Sequence, residues 1–290
     1  MINGMYFSDR ELGPRARTEQ EISTSVWGGI VAVISRLIST GAFGADFPEE
    51  CPDGEGITGT DEYTMRLALA GELSDLPWPP NAGELPPTLV VLDFMEFCHQ
   101  HVAKPIQVSH HSFYRHNHLG FNREEGQSEF RDNINRIFIR NGVAYELQAG
   151  GEIQRIAPPV LRETLATSEF NTGDAELDTM LASARTKYLS PNPATRRESL
   201  EKLWDAWERI KTIEQAPDKK TSVVKLLDKA ASEPKFRETL EAEATELTRI
   251  GNTFRIRHSE TSQTPLENDT HVDYLFHRLF GLIHLLLKSR

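Results

Sequence analysis

The 290 residues contain two cysteines, Cys51 and Cys98, far apart in the chain. Two lone thiols form no disulfide framework and no CxxC zinc motif. Such sparse usage fits a reducing compartment, and a cytoplasmic location is expected. Positive charge is also scarce, since 32 Lys and Arg face 43 Asp and Glu for a formal net charge of −11. That balance excludes a chain that grips nucleic acid over its whole surface. Any contact with RNA would need a local patch working against the overall field. Long apolar runs are missing as well. The longest stretch near the C-terminus, 279–287, is interrupted by Gly281 and His284 and falls short of the roughly 20 residues a membrane span needs. The N-terminal MINGMYFSDRELGPRARTEQ is charged and has no apolar centre, so no secretory leader and no membrane partner are expected. No internal repeat and no low-complexity tract are visible.

Hydrophobic residues make up 38% of the chain and charged residues 26%, which is enough apolar material for a sizeable core. At roughly 100–200 residues per domain the length suggests two. The division is expected near Pro158-Pro159, giving an N-terminal α-rich domain over 1–157 and a C-terminal helical bundle over 158–290. Residues 1–18 read as an irregular arm. Apolar residues at three-to-four spacing predict helices over 19–40, 86–102 and 127–140, with Asn141-Gly142 ending the last of these. A further helix is expected from about Asp61, its N-cap, to Glu72. Residues 41–60 and 103–126 read as loops. VAYEL and EIQRI, joined by QAGG, carry the signal of one short β-hairpin. In the second half, apolar stripes predict helices over 174–190, 194–213, 219–231, 234–250 and 268–289. Short connections between amphipathic helices imply an antiparallel bundle. Leu177, Leu181, Leu203, Trp207, Leu240, Leu247, Leu275, Leu279 and Ile283 are expected inside it. Trp204 and Trp207 could stack bases, but their place in an apolar stripe marks them as core.

Two clusters could carry chemistry. Six of the ten histidines fall between His99 and His118: His99, His101, His110, His111, His116 and His118. Imidazole is the commonest metal ligand among side chains. Residues two apart share a face only in a strand, and the helical zinc pattern with histidines four apart is absent. Three readings stand: a polar loop with local hydrogen bonds, a metal site, and a phosphate contact made by Arg115, His116 and His118. No structural metal is expected from this segment, because the spacing supplies no closed set of four ligands. No cofactor is expected either.

The second cluster is Arg255, Arg257, His258 and Glu260, ahead of the last helix. A neutral imidazole can take the proton from a ribose 2′-hydroxyl, and a guanidinium can hold charge on phosphorus. Glu260 could orient His258. The competing reading is an ion-paired connector that seats the last helix.

Three segments together resemble bacterial abortive-infection proteins of the HEPN-like kind. They are NINRIFIRNGVAYELQAGGEIQRI, AELDTMLASARTKYLSPNPATRRESLEKLWDAWERIKT, and LTRIGNTFRIRHSETSQTPL with HVDYLFHRLFGLIHLLL. The resemblance covers about residues 127–290, while residues 1–126 resemble no family we can name. It implies a mainly α fold with a HEPN-like bundle, and metal-independent RNA cleavage in phage defence, often by dimers. The usual motif places Arg several residues before His, whereas here Arg257 directly precedes His258 and the next histidine is His271. Two functions are therefore expected. One is an endoribonuclease with His258 as base, Arg255 or Arg257 as phosphate clamp and Glu260 as orienter. The other is a non-catalytic sensor or scaffold for a phage or defence-system protein or a nucleic acid. A homodimer is expected, built partly on the last helix, whose second edge carries His277, Arg278 and His284.

Overall fold

A computed structural model describes residues 6–157, 161, 164–165, 169–215, 217–256 and 263–289. The chain divides into two compact units, Met1–Ile156 and Ala157–Arg290.

The first unit holds α1 (Phe7–Leu12), α2 (Thr24–Ser39), α3 (Glu62–Glu72), α4 (Thr88–His101) and α5 (Arg123–Asn141). Local chemistry fixes the ends of these helices. Ser23 caps α2, and Asp61 caps α3 by accepting from the N–H groups of Tyr63 and Thr64. Asn122 caps α5, which ends at Gly142 in the left-handed conformation. Each such cap satisfies backbone groups that the helix itself leaves unpaired. The core gathers Val26, Trp27, Ile30 and Ile34 of α2 with Phe94, Met95 and Cys98 of α4 and Phe130, Ile134 and Phe138 of α5.

Two small sheets accompany these helices. The hairpin β5 (Tyr145–Leu147) and β6 (Ile153–Arg155) lies where the sequence places it. The other sheet corrects three readings at once. Residues 103–126 are not a loop, residues 41–60 are one only in part, and the hairpin is not the lone β element. The two stretches contribute β1 (Pro48–Glu50), β2 (Ile57–Thr60), β3 (Lys104–His111) and β4 (His116–Asn122), in the antiparallel order β1-β2-β4-β3. The strands escape sequence reading because their faces do not alternate between buried and exposed. Ile106 and Val108 are exposed, as is most of β3. The N-terminal arm likewise contains a helix, α1, although none of its residues is buried.

The second unit is helical among its described residues: α6 (Ala175–Tyr188), α7 (Pro193–Ile210), α8 (Lys219–Ala230), α9 (Pro234–Thr253) and α10 (Asp269–Lys288). All nine residues expected inside are buried. Trp204 and Trp207 are core, with their indole N–H groups donating to the Leu247 carbonyl at 3.0 Å and the Thr248 hydroxyl at 3.2 Å. No helix among the described residues is long and apolar enough to cross a membrane.

Candidate functional site

The six histidines of the first unit separate into distinct environments. His99 lies inside α4, where burial, followed by the nearby Arg131, pushes its pKa down. His101 pairs with Asp46 at 2.7 Å. Burial opposes ionisation of Asp46, but Arg123 and His101 outweigh it and hold the carboxyl below its usual range. His110 is exposed and bonds Asn117 at 2.8 Å.

The other three converge. In the β3–β4 pair His111 stands opposite His116, and Ser109 stands opposite His118. The register shifts between Gln107 and Ser109, so Val108 is the extra residue of a bulge. Bulges re-aim the side chains that follow them. Here the result is that His111, His116 and His118 share one face, since residues two apart on a strand point the same way. The turn that joins the strands carries Arg115 at φ 56°.

A fourth group arrives from the other end of the sheet. Cys51 follows β1 and opens a tight turn in which Gly54 N–H donates to the Cys51 carbonyl and Cys51 N–H donates to the Gly56 carbonyl, both at 2.8 Å. The thiol Sγ lies 3.4 Å from His111 Nδ1 and 3.2 Å from His116 Nε2. The ligand atoms of Cys51, His111, His116 and His118 all fall within 4.8 Å of one another. Gly56 is required beneath them, because a Cβ there would sit 2.9 Å from His118 Cγ. Asp53 flanks the group at 3.1 Å from His111 Nδ1. Burial, then the Asp53 carboxylate, pushes the Cys51 thiol up, while the hydrogen bond to Cys51 holds Asp53 down.

The segment by itself supplies three of these groups, as its spacing led one to expect, and Cys51, from outside it, is the fourth. Sequence reading missed Cys51 because 60 residues separate it from His111, and because reading 103–126 as a loop hid the shared face of His116 and His118. An HxH within a strand, paired with a histidine across the hairpin, was the available signal.

In the second unit Arg255 lines a cavity of about 260 Å³ with Arg197, Leu200, Ile256, Pro265, Leu266 and Glu267. Arg255 N–H donates to the Thr264 carbonyl at 2.9 Å, which fixes the backbone at the cavity wall. Its side chain makes no ion pair among the described residues. Arg197 reaches Asp269 at 3.7 Å. Arg257, His258 and Glu260 lie outside the described residues. The polar edge of α10 has partners within the chain. His277 Nε2 bonds the Tyr188 hydroxyl at 2.9 Å, and Arg278 grips both oxygens of Glu243 at 2.7 and 2.8 Å.

No curated protein and no solved structure matches the chain. The family model of the AbiJ N-terminal domain 4 matches residues 5–171. That span falls mainly on residues 1–126, where the sequence itself offered no resemblance, and it takes in the whole Cys51 and histidine cluster. The match covers more than half of the chain and points to a role in abortive infection, so the chain belongs to the AbiJ N-terminal domain 4 family.

Proposed function

We propose that the chain is a phage-defence endoribonuclease whose second unit is HEPN-like and acts through Arg255, Arg257, His258 and Glu260. The observation that supports this reading is the cavity that Arg255 lines together with Arg197. Two guanidinium groups at one concavity form a local cationic spot in a chain of net charge −11. They are the groups that hold a phosphate bidentately. His258 takes the proton of a ribose 2′-hydroxyl, and that oxygen attacks the adjacent phosphorus. The P–O5′ bond breaks, and the proton passes to the leaving O5′. The arginines neutralise the charge that gathers on phosphorus. Arg115, exposed in the β3–β4 turn, is a further phosphate contact. In the same reading the chain acts as a homodimer.

One observation favours the second reading, a non-catalytic module that binds a partner protein or nucleic acid. Glu267 lines the same cavity, and Arg197 leans on Asp269, so part of the cationic charge is already neutralised.

Cleavage of single-stranded RNA without added divalent cation, paired with melting curves, decides between them. The nuclease reading expects a loss of about 10²–10⁴-fold for His258→Ala. Arg255→Ala and Arg257→Ala should lose a comparable order, and Glu260→Gln less. Wild-type protein inert toward RNA, with His258→Ala lowering the melting temperature, supports the connector and removes the nuclease. Sedimentation showing a monomer at tens of micromolar, on the order of a weak dimer's dissociation constant, removes the homodimer.

A further inference from the structure

We propose that Cys51, His111, His116 and His118 form a closed, four-ligand site for a zinc-class divalent cation. The site would tie the turn after β1 to the tip of the β3–β4 hairpin. The inference is independent of the ribonuclease reading.

Three observations on the molecule carry it. The first is the donor set. One thiolate and three imidazoles are borderline-soft ligands, and this class of set selects zinc over the oxygen-seeking magnesium and calcium. The second is spacing. Zinc–sulfur and zinc–nitrogen bonds of about 2.3 and 2.0–2.1 Å put tetrahedral ligand atoms roughly 3.3–3.6 Å apart. Cys51 Sγ lies 3.4 Å from His111 Nδ1 and 3.2 Å from His116 Nε2. These two separations match the tetrahedral values to within a few tenths of an ångström, while the other ligand atoms, all within 4.8 Å of one another, draw in further by side-chain rotation when a cation binds.

The third is hydrogen-bond accounting. The thiol can donate to His116 Nε2 while His111 Nδ1–H donates to Asp53 at 3.1 Å, so the unmet need in the cluster lies at His118. His118 bonds Ser109 Oγ at 3.3 Å through Nδ1, while its Nε2 is buried with no hydrogen-bond partner. Buried polar atoms left in this way are costly. A cation satisfies all four groups at once, and the thiol proton leaves to solvent. The flanking groups also suit a ligated site. Ligating histidines use their second nitrogen to bond a nearby oxygen, which orients the ring, and Ser109 stands in that place for His118. Asp53 beside His111 adds a carboxylate at the rim.

The geometry assigns a structural role to this cation. Four protein ligands leave no open position for water or substrate, which is the mark of structural rather than catalytic zinc sites. Its ligands come from two segments that are distant in the chain, so binding closes a long loop. The first unit would lose stability when the metal is removed.

The test uses the full chain and the metal alone. Wild-type protein stripped of metal and titrated with zinc(II) should retain one equivalent through gel filtration. Cobalt(II) in its place should give the visible bands of a tetrahedral site and one thiolate-to-cobalt charge-transfer band. Cys51→Ser should lose that band. His116→Cys keeps four ligands and adds a sulfur, so it should hold the metal and strengthen the band, which a misfolded chain would not do. Wild-type protein that retains less than about a tenth of an equivalent overturns the proposal, as does a charge-transfer band that survives in Cys51→Ser. None of these readouts involves RNA, so the nuclease reading stands or falls separately.

Discussion

The indole of Trp204 occupies the space that a side chain at Gly251 would need. A Cβ on Gly251 would lie 2.3 Å from both Cδ1 and Nε1 of Trp204, while that Nε1 donates to the Leu247 carbonyl one turn earlier in α9. Helix propensity alone favours Gly251→Ala by about 1 kcal/mol. Overpacking a filled core costs about 1–3 kcal/mol, and here it also displaces a buried hydrogen bond. The clash wins, so Gly251→Ala should lower the melting temperature. A variant that melts at or above the wild-type temperature would reject the close contact.

Leu279 tests the same core from α10. It is fully buried and belongs to the cluster that also contains Tyr188, Trp204, Phe276 and Ile283. Its truncation removes methyl groups and leaves a cavity that well-packed neighbours fill poorly. Leu279→Ala should therefore cost about 2–5 kcal/mol. An unfolding midpoint unchanged in denaturant would refute the burial.

The second unit was legible in the sequence because each helix carries its own period. Leu177, Leu181, Ala184 and Tyr188 repeat along one face of α6, and all are buried. Asp61 of the first unit, expected as an N-cap, caps α3, and Ser23, Asn122, Asp174 and Asn268 cap their helices in the same way without having been expected to. The four-stranded sheet was not legible, since β3 is largely exposed and presents no alternating apolar face. The Cys51 cluster was hidden for a different reason. It depends on strand pairing and on a bulge at Val108, and neither leaves a local periodic signal. Cys51, in an acidic Gly- and Pro-rich stretch, gave no hint of the hairpin that it meets.

Asp174 joins two helices electrostatically. It caps α6 by accepting from Glu176 N–H at 3.1 Å and Leu177 N–H at 3.0 Å, and both its oxygens receive Arg209 Nε of α7, at 2.9 and 3.0 Å. Arg209 first, then the Leu177 N–H, holds its carboxyl below the ordinary 3.8. A carboxylate with a depressed folded pKa stabilises above its unfolded value, and the contribution disappears as pH falls through the folded one. Asp174→Ala should cost about 1 kcal/mol near neutrality, as lost N-caps do. The gap between wild type and variant should close below the carboxyl's ordinary 3.8. Melting curves on both proteins from pH 7 downward measure it, and a gap that persists or widens in acid contradicts the assignment.

Ser109 reaches the proposed cation only through another residue. Its hydroxyl bonds His118 Nδ1 at 3.3 Å, and the bulge at Val108 brings it opposite His118 in the register. If His118 ligates through Nε2, Ser109 fixes the tilt of the ring and the placement of its second proton. Outer-shell partners of this kind typically contribute 10–100-fold to metal affinity. Ser109→Ala should therefore weaken zinc binding by roughly that factor while keeping one equivalent at saturation and an unchanged cobalt charge-transfer band, because Cys51 is untouched. Ser109→Thr, which retains the hydroxyl, should recover most of the affinity. Competition against a chelating dye measures the affinity directly. Equal zinc affinity in wild type and Ser109→Ala would show that the ring is held by other means and that Ser109 plays no part in orienting it.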